Sequence, residues 1–115
     1  MTVAPFAVPF WSPDEIEAAL PETIAHLNAR RVLAYPTETV YGFGGGADRE
    51  SVNNLIALKG RPPNKPFLLI IGASEMITRL GLHLTGYASQ LAAHFWPGAL
   101  TLVLLAMRNW PLPAP

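Results

Sequence analysis

The sequence predicts one small α/β domain, with a twisted mixed sheet and flanking helices. The 115 residues are 50% hydrophobic, and eight basic side chains balance eight acidic ones, which is typical of a single globular domain. Three short apolar runs, residues 32–35, 67–71 and 100–105, alternate with segments whose apolar residues recur at helical spacing. Such alternation favours strands that pack against helices.

Charge and composition exclude several classes of function. A formal net charge of zero gives no support for a general nucleic-acid binder, because neutralising phosphates needs a clustered excess of basic residues. The absence of cysteine excludes disulfides, thiolate zinc sites and a cysteine nucleophile, and is compatible with a cytoplasmic location. The longest apolar run is far shorter than the roughly 20 residues that span a bilayer, so we expect no membrane partner.

The first helix is predicted by its start signal. Ser12-Pro13-Asp14-Glu15 has the form of a capping box with proline in the first turn. Pro21 lies inside the apolar pattern that follows, and it predicts either a kink or a division of this helix.

Three further helices are predicted by cap residues. Asp48 is expected to cap the second helix, and Ser74 and Thr85 to cap two shorter ones. The expected inward-facing side chains are Val52, Leu55 and Ile56 in the second helix and Leu91, Ala92 and Phe95 in the last.

A polar loop follows the first predicted strand. Pro36 to Gly42 carries two hydroxyls, a carboxylate and a phenol, and ligands of open α/β sheets gather where strands end. The alternative is that these β-branched residues continue an edge strand. Residues 42–47 match the relaxed pattern G-x-G-x-x-A, but the glycines do not follow the strand directly, so this pattern gives little support for a dinucleotide fold.

Three basic residues fall within seven positions that contain no acid: Lys59, Arg61 and Lys65. Their position between a helix end and an apolar run favours a phosphate site. The alternative is a solvated basic turn that is stabilised by the helix C-terminal dipole.

Three motifs in order carry a family resemblance. Tyr-Pro-Thr-Glu-Thr-Val-Tyr-Gly at 35–42, Lys-Gly-Arg-Pro at 59–62 with Lys-Pro at 65–66, and Trp-Pro-Gly-Ala-Leu-Thr at 96–101 resemble the YrdC-like family of threonylcarbamoyl-AMP synthases. The resemblance implies a concave, positively lined cavity. It also implies a reaction that joins L-threonine, bicarbonate and ATP into threonylcarbamoyl-adenylate and releases pyrophosphate, for the formation of threonylcarbamoyladenosine in tRNA.

The same resemblance implies roles for individual residues. Cationic side chains are needed because two anions approach each other in this reaction. The expected catalytic residues are Lys59 and Arg61, the threonine ligand is Thr39, and the nucleotide ligands are Arg61, Lys65 and Thr101. Mg²⁺ is expected to accompany ATP without a metal site on the protein, since Glu38 is the only nearby acid.

Members of this family continue well past the Trp-Pro-Gly motif, so the chain resembles a truncated domain. The expected organisation is an N-terminal extension over residues 1–12, a partial YrdC-like domain over 13–107 and a proline-rich tail over 108–115. The expected partners are the substrates, downstream tRNA-modifying enzymes, and tRNA or double-stranded RNA. Two alternatives to the synthase remain: a nucleotide- or double-stranded-RNA-binding module without turnover, and an inactive fragment.

Overall fold

The computed structural model describes residues 6–60, 62 and 66–106. Within these residues the chain forms helices α1 (Pro13–Asn28), α2 (Arg49–Lys59), α3 (Met76–Arg79) and α4 (Gly86–Phe95), with strands β1 (Leu33–Pro36) and β2 (Tyr41–Gly44) between α1 and α2. None of the helices in this part of the chain is long and apolar enough to cross a membrane.

Helix α1 begins with the capping box that the sequence predicts. The Glu15 amide donates to the Ser12 hydroxyl at 3.2 Å, and the Ser12 amide donates to the Glu15 carboxylate at 3.1 Å. Pro21 does not divide the helix, which runs unbroken from Pro13 to Asn28. Because Pro21 and Glu17 are both exposed, water can bind the carbonyl group that proline leaves without a helical donor.

Strands β1 and β2 form an antiparallel hairpin in which Leu33 lies opposite Gly44 and Pro36 opposite Tyr41. The strand predicted at 32–35 is therefore confirmed. The runs 67–71 and 100–105, also predicted as strands, are not regular strands in the structure. An apolar run becomes a strand only where a neighbouring segment supplies ladder partners, and the part of the chain that the structure describes supplies one isolated bridge, between Leu82 and Ala106.

The structure confirms one of the caps predicted for the later helices and differs at the other two. Asp48 caps α2 as expected by accepting from the Ser51 amide at 3.0 Å, and Gly60 ends that helix with a left-handed φ of 60°. Thr85 lies at the cap position of α4 but makes no side-chain bond there. The Ser74 prediction is wrong, because α3 begins one residue later and the bond from Ile77 is to the Ser74 backbone carbonyl.

The core is small and is built by the helices. Its buried apolar side chains, among the described residues, are Ala19, Val52, Leu55, Ile77 and Ala92. The inward face predicted for α2 is correct for Val52 and Leu55. The prediction for α4 is correct only for Ala92, since Leu91 and Phe95 are 41% and 51% exposed; helical spacing identifies an apolar face, but burial needs an element packed against it.

Arg30 joins the end of α1 to the start of α2. It ends α1 in the left-handed region, with φ of 61°. Its guanidinium group contacts Asp48 at 3.4 Å and Glu50 at 3.0 Å. Its carbonyl group accepts from the Asn54 amide at 2.8 Å. The chain therefore enters and leaves the β1–β2 hairpin at one joint, which is the set of Arg30 contacts between the end of α1 and the start of α2.

Candidate functional site

The turn between β1 and β2 consists of residues 37–40 and is organised by one hydroxyl group. Thr37 Oγ1 donates to the Val40 carbonyl at 2.6 Å. It accepts from the amides of Thr39 at 3.3 Å and Val40 at 3.2 Å. This region is a turn, so the alternative of an edge strand running through it is wrong, and the strand resumes only at Tyr41. Threonine in a turn forms such local bonds in competition with a regular ladder.

Thr39, the expected threonine ligand, lies on this turn with an exposed side chain. Its Oγ1 is 3.4 Å from Thr37 Oγ1. The neighbouring Glu38 and Tyr41 are also exposed. The turn therefore presents two adjacent hydroxyl groups and a carboxylate to solvent, which are groups that can bind a small polar ligand.

The strands that end in this turn form one wall of a cavity of about 300 Å³. The other walls come from the end of α1, from α2, from residues 45–47 and from residues 67–70. The residues that line it are Leu27, Leu33, Tyr35, Phe43, Gly44, Gly45, Gly46, Ala47, Val52, Leu55, Phe67, Leu68, Leu69 and Ile70. The lining is apolar apart from its backbone groups and the Tyr35 hydroxyl.

Two glycines that line this cavity have side chains packed closely against them. A Cβ atom at Gly44 would lie 2.7 Å from Cε1 of Tyr35, whose ring covers that position across the hairpin. A Cβ atom at Gly46 would lie 3.0 Å from the Asp48 carboxylate and 3.1 Å from the Ser51 hydroxyl. Gly44 therefore fits the packing of the hairpin and Gly46 the packing at the start of α2. The glycine pattern begins on the antiparallel strand β2, which differs from the strand-to-helix turn of a dinucleotide fold.

The start of α2 contains the one titratable group with a clear shift among the described residues. The buried Ser51 hydroxyl donates to Asp48 Oδ2 at 2.5 Å. This bond, followed by the bond from the Ser51 amide and the charge of Arg30, lowers the pKa of the Asp48 carboxyl below its ordinary value. Ser51 is 1% exposed, and its role could have been found from the sequence, since it stands three residues after the cap.

Lys59 is the described member of the basic cluster. It is the last residue of α2, where a cation is favoured by the helix dipole. Its ammonium group lies 5.9 Å from the centre of the Phe67 ring, within the range of a cation–π contact. Because Phe67 lines the cavity, this contact places the only described charge of the cluster beside the cavity wall. Arg61 and Lys65 lie outside the described residues.

Thr101 follows a turn that is closed by Trp96. The indole N–H of Trp96 donates to the Leu100 carbonyl at 2.8 Å, and the Leu100 amide donates to the Gly98 carbonyl at 2.9 Å. Thr101 itself is exposed. The cavity lining includes none of Thr39, Lys59 and Thr101. Thr39 belongs to the hairpin that forms one wall, and Lys59 contacts the wall residue Phe67. Thr101 follows a separate turn.

No group of three or more His, Asp or Glu side chains within the described ranges is arranged to hold a metal ion.

Comparisons with known proteins agree with the motifs. The Sua5/YciO/YrdC family model, described as "Telomere recombination", matches residues 25–114. Threonylcarbamoyl-AMP synthase from Pyrococcus abyssi is 43% identical over 75 residues, which are 64% of this chain and 22% of that protein. The protein of the same name from Yersinia enterocolitica is 38% identical over 96 residues, which are 81% of this chain and 50% of that protein.

A solved structure agrees as well. A variant of P. abyssi Sua5 matches with a TM-score of 0.76 and 35% identity, over 83% of this chain and 29% of that one. This likeness confirms the α/β fold class. The chain spans half or less of the length of these relatives. Because the family model covers more than three quarters of its residues, the chain belongs to the Sua5/YciO/YrdC family.

Proposed function

We propose that this chain carries part of the site of an L-threonylcarbamoyladenylate synthase, which forms threonylcarbamoyl-AMP and pyrophosphate from L-threonine, bicarbonate and ATP. The observation that carries the proposal is the hairpin whose turn presents Thr37 and Thr39 and whose strands form a wall of the cavity beside Lys59. The synthase names of the relatives support it.

The proposed chemistry explains why hydroxyl groups and cations are needed together. The amine of L-threonine and bicarbonate give a carbamate with loss of water. A carbamate oxygen then attacks the α-phosphorus of ATP, and the bond to the β-phosphate oxygen breaks to release pyrophosphate. Both reactants are anions, so a cation beside them offsets their repulsion and the charge that develops on the leaving group. Lys59 is the described side chain that can supply this charge, and Thr39 can bind polar groups of L-threonine.

The remaining assignments follow from the sequence motifs. Arg61 and Lys65 would contact phosphate oxygens, for which arginine offers a bidentate geometry. Thr101 would contact the nucleotide. Mg²⁺ would enter as a complex with the phosphates of ATP. The product would be consumed in the cytoplasm by an enzyme that transfers the threonylcarbamoyl group to tRNA.

The first experiment maps binding separately from turnover. Amide chemical shifts of the 115-residue chain are followed by NMR during titration with L-threonine, D-threonine or Mg²⁺–ATP. We expect L-threonine to shift the amides of residues 37–40, and Mg²⁺–ATP to shift those at the end of α2. Shifts confined to other parts of the chain, or equal responses to both threonine enantiomers, would refute the site.

Two matched variants test the charge of Lys59. Lys59 and Arg79 are both exposed and are both the last residue of a helix, but only Lys59 contacts a residue of the cavity wall. We expect Lys59→Ala to weaken Mg²⁺–ATP binding about threefold, a modest loss because solvent screens an exposed ammonium group. Arg79→Ala should bind Mg²⁺–ATP as tightly as the parent chain does. Equal losses in the two variants would remove Lys59 from the site.

One observation favours the second candidate, a binding module without turnover. Thr39, Lys59 and Thr101 are all exposed, and exposed charges stabilise a transition state less than enclosed ones do. The test is release of pyrophosphate, with controls that omit threonine or bicarbonate. Release of pyrophosphate that requires both threonine and bicarbonate supports the synthase. Binding with no release supports the module, and absence of both binding and release contradicts each candidate.

A further inference from the structure

Thr37 has no role in the proposed chemistry, yet its hydroxyl group is the centre of the turn that carries Thr39. It is used three times: it donates to the Val40 carbonyl and accepts from the amides of Thr39 and Val40. Its own amide also donates to the Val40 carbonyl, at 3.2 Å. The side chain and the backbone of one residue therefore hold the two ends of the turn together.

The two threonine hydroxyls lie close together, with their oxygen atoms 3.4 Å apart. The Thr37 hydroxyl uses its proton on the Val40 carbonyl and its two lone pairs on the amides of Thr39 and Val40. The proton and the lone pairs of Thr39 Oγ1 therefore remain available for a ligand. A β-branched residue also has few side-chain rotamers, which helps to hold the Thr37 hydroxyl group in this place.

Every residue of this turn is exposed, so water competes for each of these bonds and none contributes much to stability. Their effect is instead to limit the number of conformations that the turn adopts before a ligand arrives. A loop that is already in its bound conformation loses less entropy on binding.

We propose that Thr37 is a positioning residue for recognition of L-threonine: its hydroxyl group fixes the 37–40 turn and thereby holds Thr39 in position for the ligand. This inference rests on the proposed function, because it takes L-threonine as the ligand of Thr39.

The experiment compares three variants of the full 115-residue chain. Thr37→Val keeps the shape of the side chain and removes the hydroxyl, while Thr37→Ser keeps the hydroxyl and removes the methyl group. Thr78→Val makes the same change at an exposed threonine on α3. Amide hydrogen exchange at Thr39 and Val40 reports the turn, and NMR titrations measure the affinities for L-threonine and for Mg²⁺–ATP.

We expect Thr37→Val to speed amide exchange at Thr39 and Val40 and to weaken L-threonine binding about fivefold, with the affinity for Mg²⁺–ATP unchanged. Thr37→Ser should restore both properties to near the parent values, and Thr78→Val should change neither. Restoration by serine is the result that a purely steric role of Thr37 would not give.

Two results overturn the inference and are distinguishable. If the parent chain binds L-threonine and Thr37→Val binds it equally well, the positioning role is wrong while the proposed function stands. If the parent chain shows no binding of L-threonine at residues 37–40, the proposed function is wrong and the inference is lost with it. A variant that loses affinity for both ligands would also contradict the inference, because it would show a general structural role.

Discussion

Gly98 offers the sharpest test of how the turn before Thr101 is built. A Cβ atom at this position would lie 2.6 Å from the carbonyl oxygen of Phe95, the last residue of α4. That oxygen belongs to the backbone, so rotation of a side chain cannot relieve the contact. Gly98→Ala must therefore move either the end of α4 or the turn that Trp96 and Leu100 close.

The size of the effect follows from this distance. Real Cβ contacts are essentially never shorter than 3.0 Å, so the two backbone segments must separate by about 0.4 Å, and the bonds at the turn must stretch with them. Overpacking of this kind typically costs about 1–3 kcal/mol. With the denaturant dependence of a small domain, about 1–2 kcal/mol per molar urea, the unfolding midpoint should fall by about 0.5–3 M.

The assay is urea unfolding followed by far-ultraviolet circular dichroism. Gly42→Ala is the matched control, because a Cβ atom at Gly42 would have no neighbour within 4 Å and φ there is not in the left-handed region. We expect the midpoint of Gly42→Ala to be unchanged or slightly higher, since alanine lowers the entropy of the unfolded chain. A midpoint for Gly98→Ala equal to that of the parent, or losses of the same size in both variants, would refute the reasoning.

Two further predictions concern helix starts. Ser12→Ala removes both the acceptor for the Glu15 amide and the partner of a capping box, so the free energy of unfolding should fall by about 1 kcal/mol; Ser89→Ala, inside α4 and exposed, should not lower it, and a loss as large at Ser89 would contradict the role of the cap. The pKa of Asp48 is lowered in the folded chain, so its contribution to stability is present above the ordinary carboxyl pKa of about 4 and is lost as the pH falls through the lower folded value. Urea midpoints measured from pH 5 to pH 2 should therefore fall more steeply for the parent chain than for Asp48→Asn, which still caps the helix but does not titrate; parallel curves would disprove the linkage.

Local signals allowed α1 and α2 to be predicted from the sequence. Ser12 with Glu15, and Asp48 alone, satisfy backbone groups within a few residues of themselves, so their effect does not depend on the rest of the chain. The apolar runs 67–71 and 100–105 differ, because a strand is completed only by hydrogen bonds to another segment. In the structure Val103 and Leu105 are 90% and 80% exposed, which no periodicity in the sequence could have indicated.

The candidate site was predictable in its residue types but not in its arrangement. The hydroxyl-rich loop and the basic cluster that contains Lys59 are visible as composition, and the family resemblance singled out Thr39 within the loop. The contact of Lys59 with Phe67 joins residues on two different segments, and such pairing depends on packing. Thr37 was given no role of its own, although its bonds are local and threonine at the first position of a turn is a known source of such bonds.

The joint at Arg30 also affects how this chain tolerates change. Its contacts with Glu50 and Asn54 close the segment 31–49 into a loop whose ends are already held together. The entropy lost on closing a flexible loop grows only with the logarithm of its length, so adding a few residues at the tip of such a loop costs little. The hairpin can therefore accept insertions between Thr37 and Val40 while α1 and α2 keep their relative position, so such an insertion would disrupt the candidate threonine site without unfolding the chain.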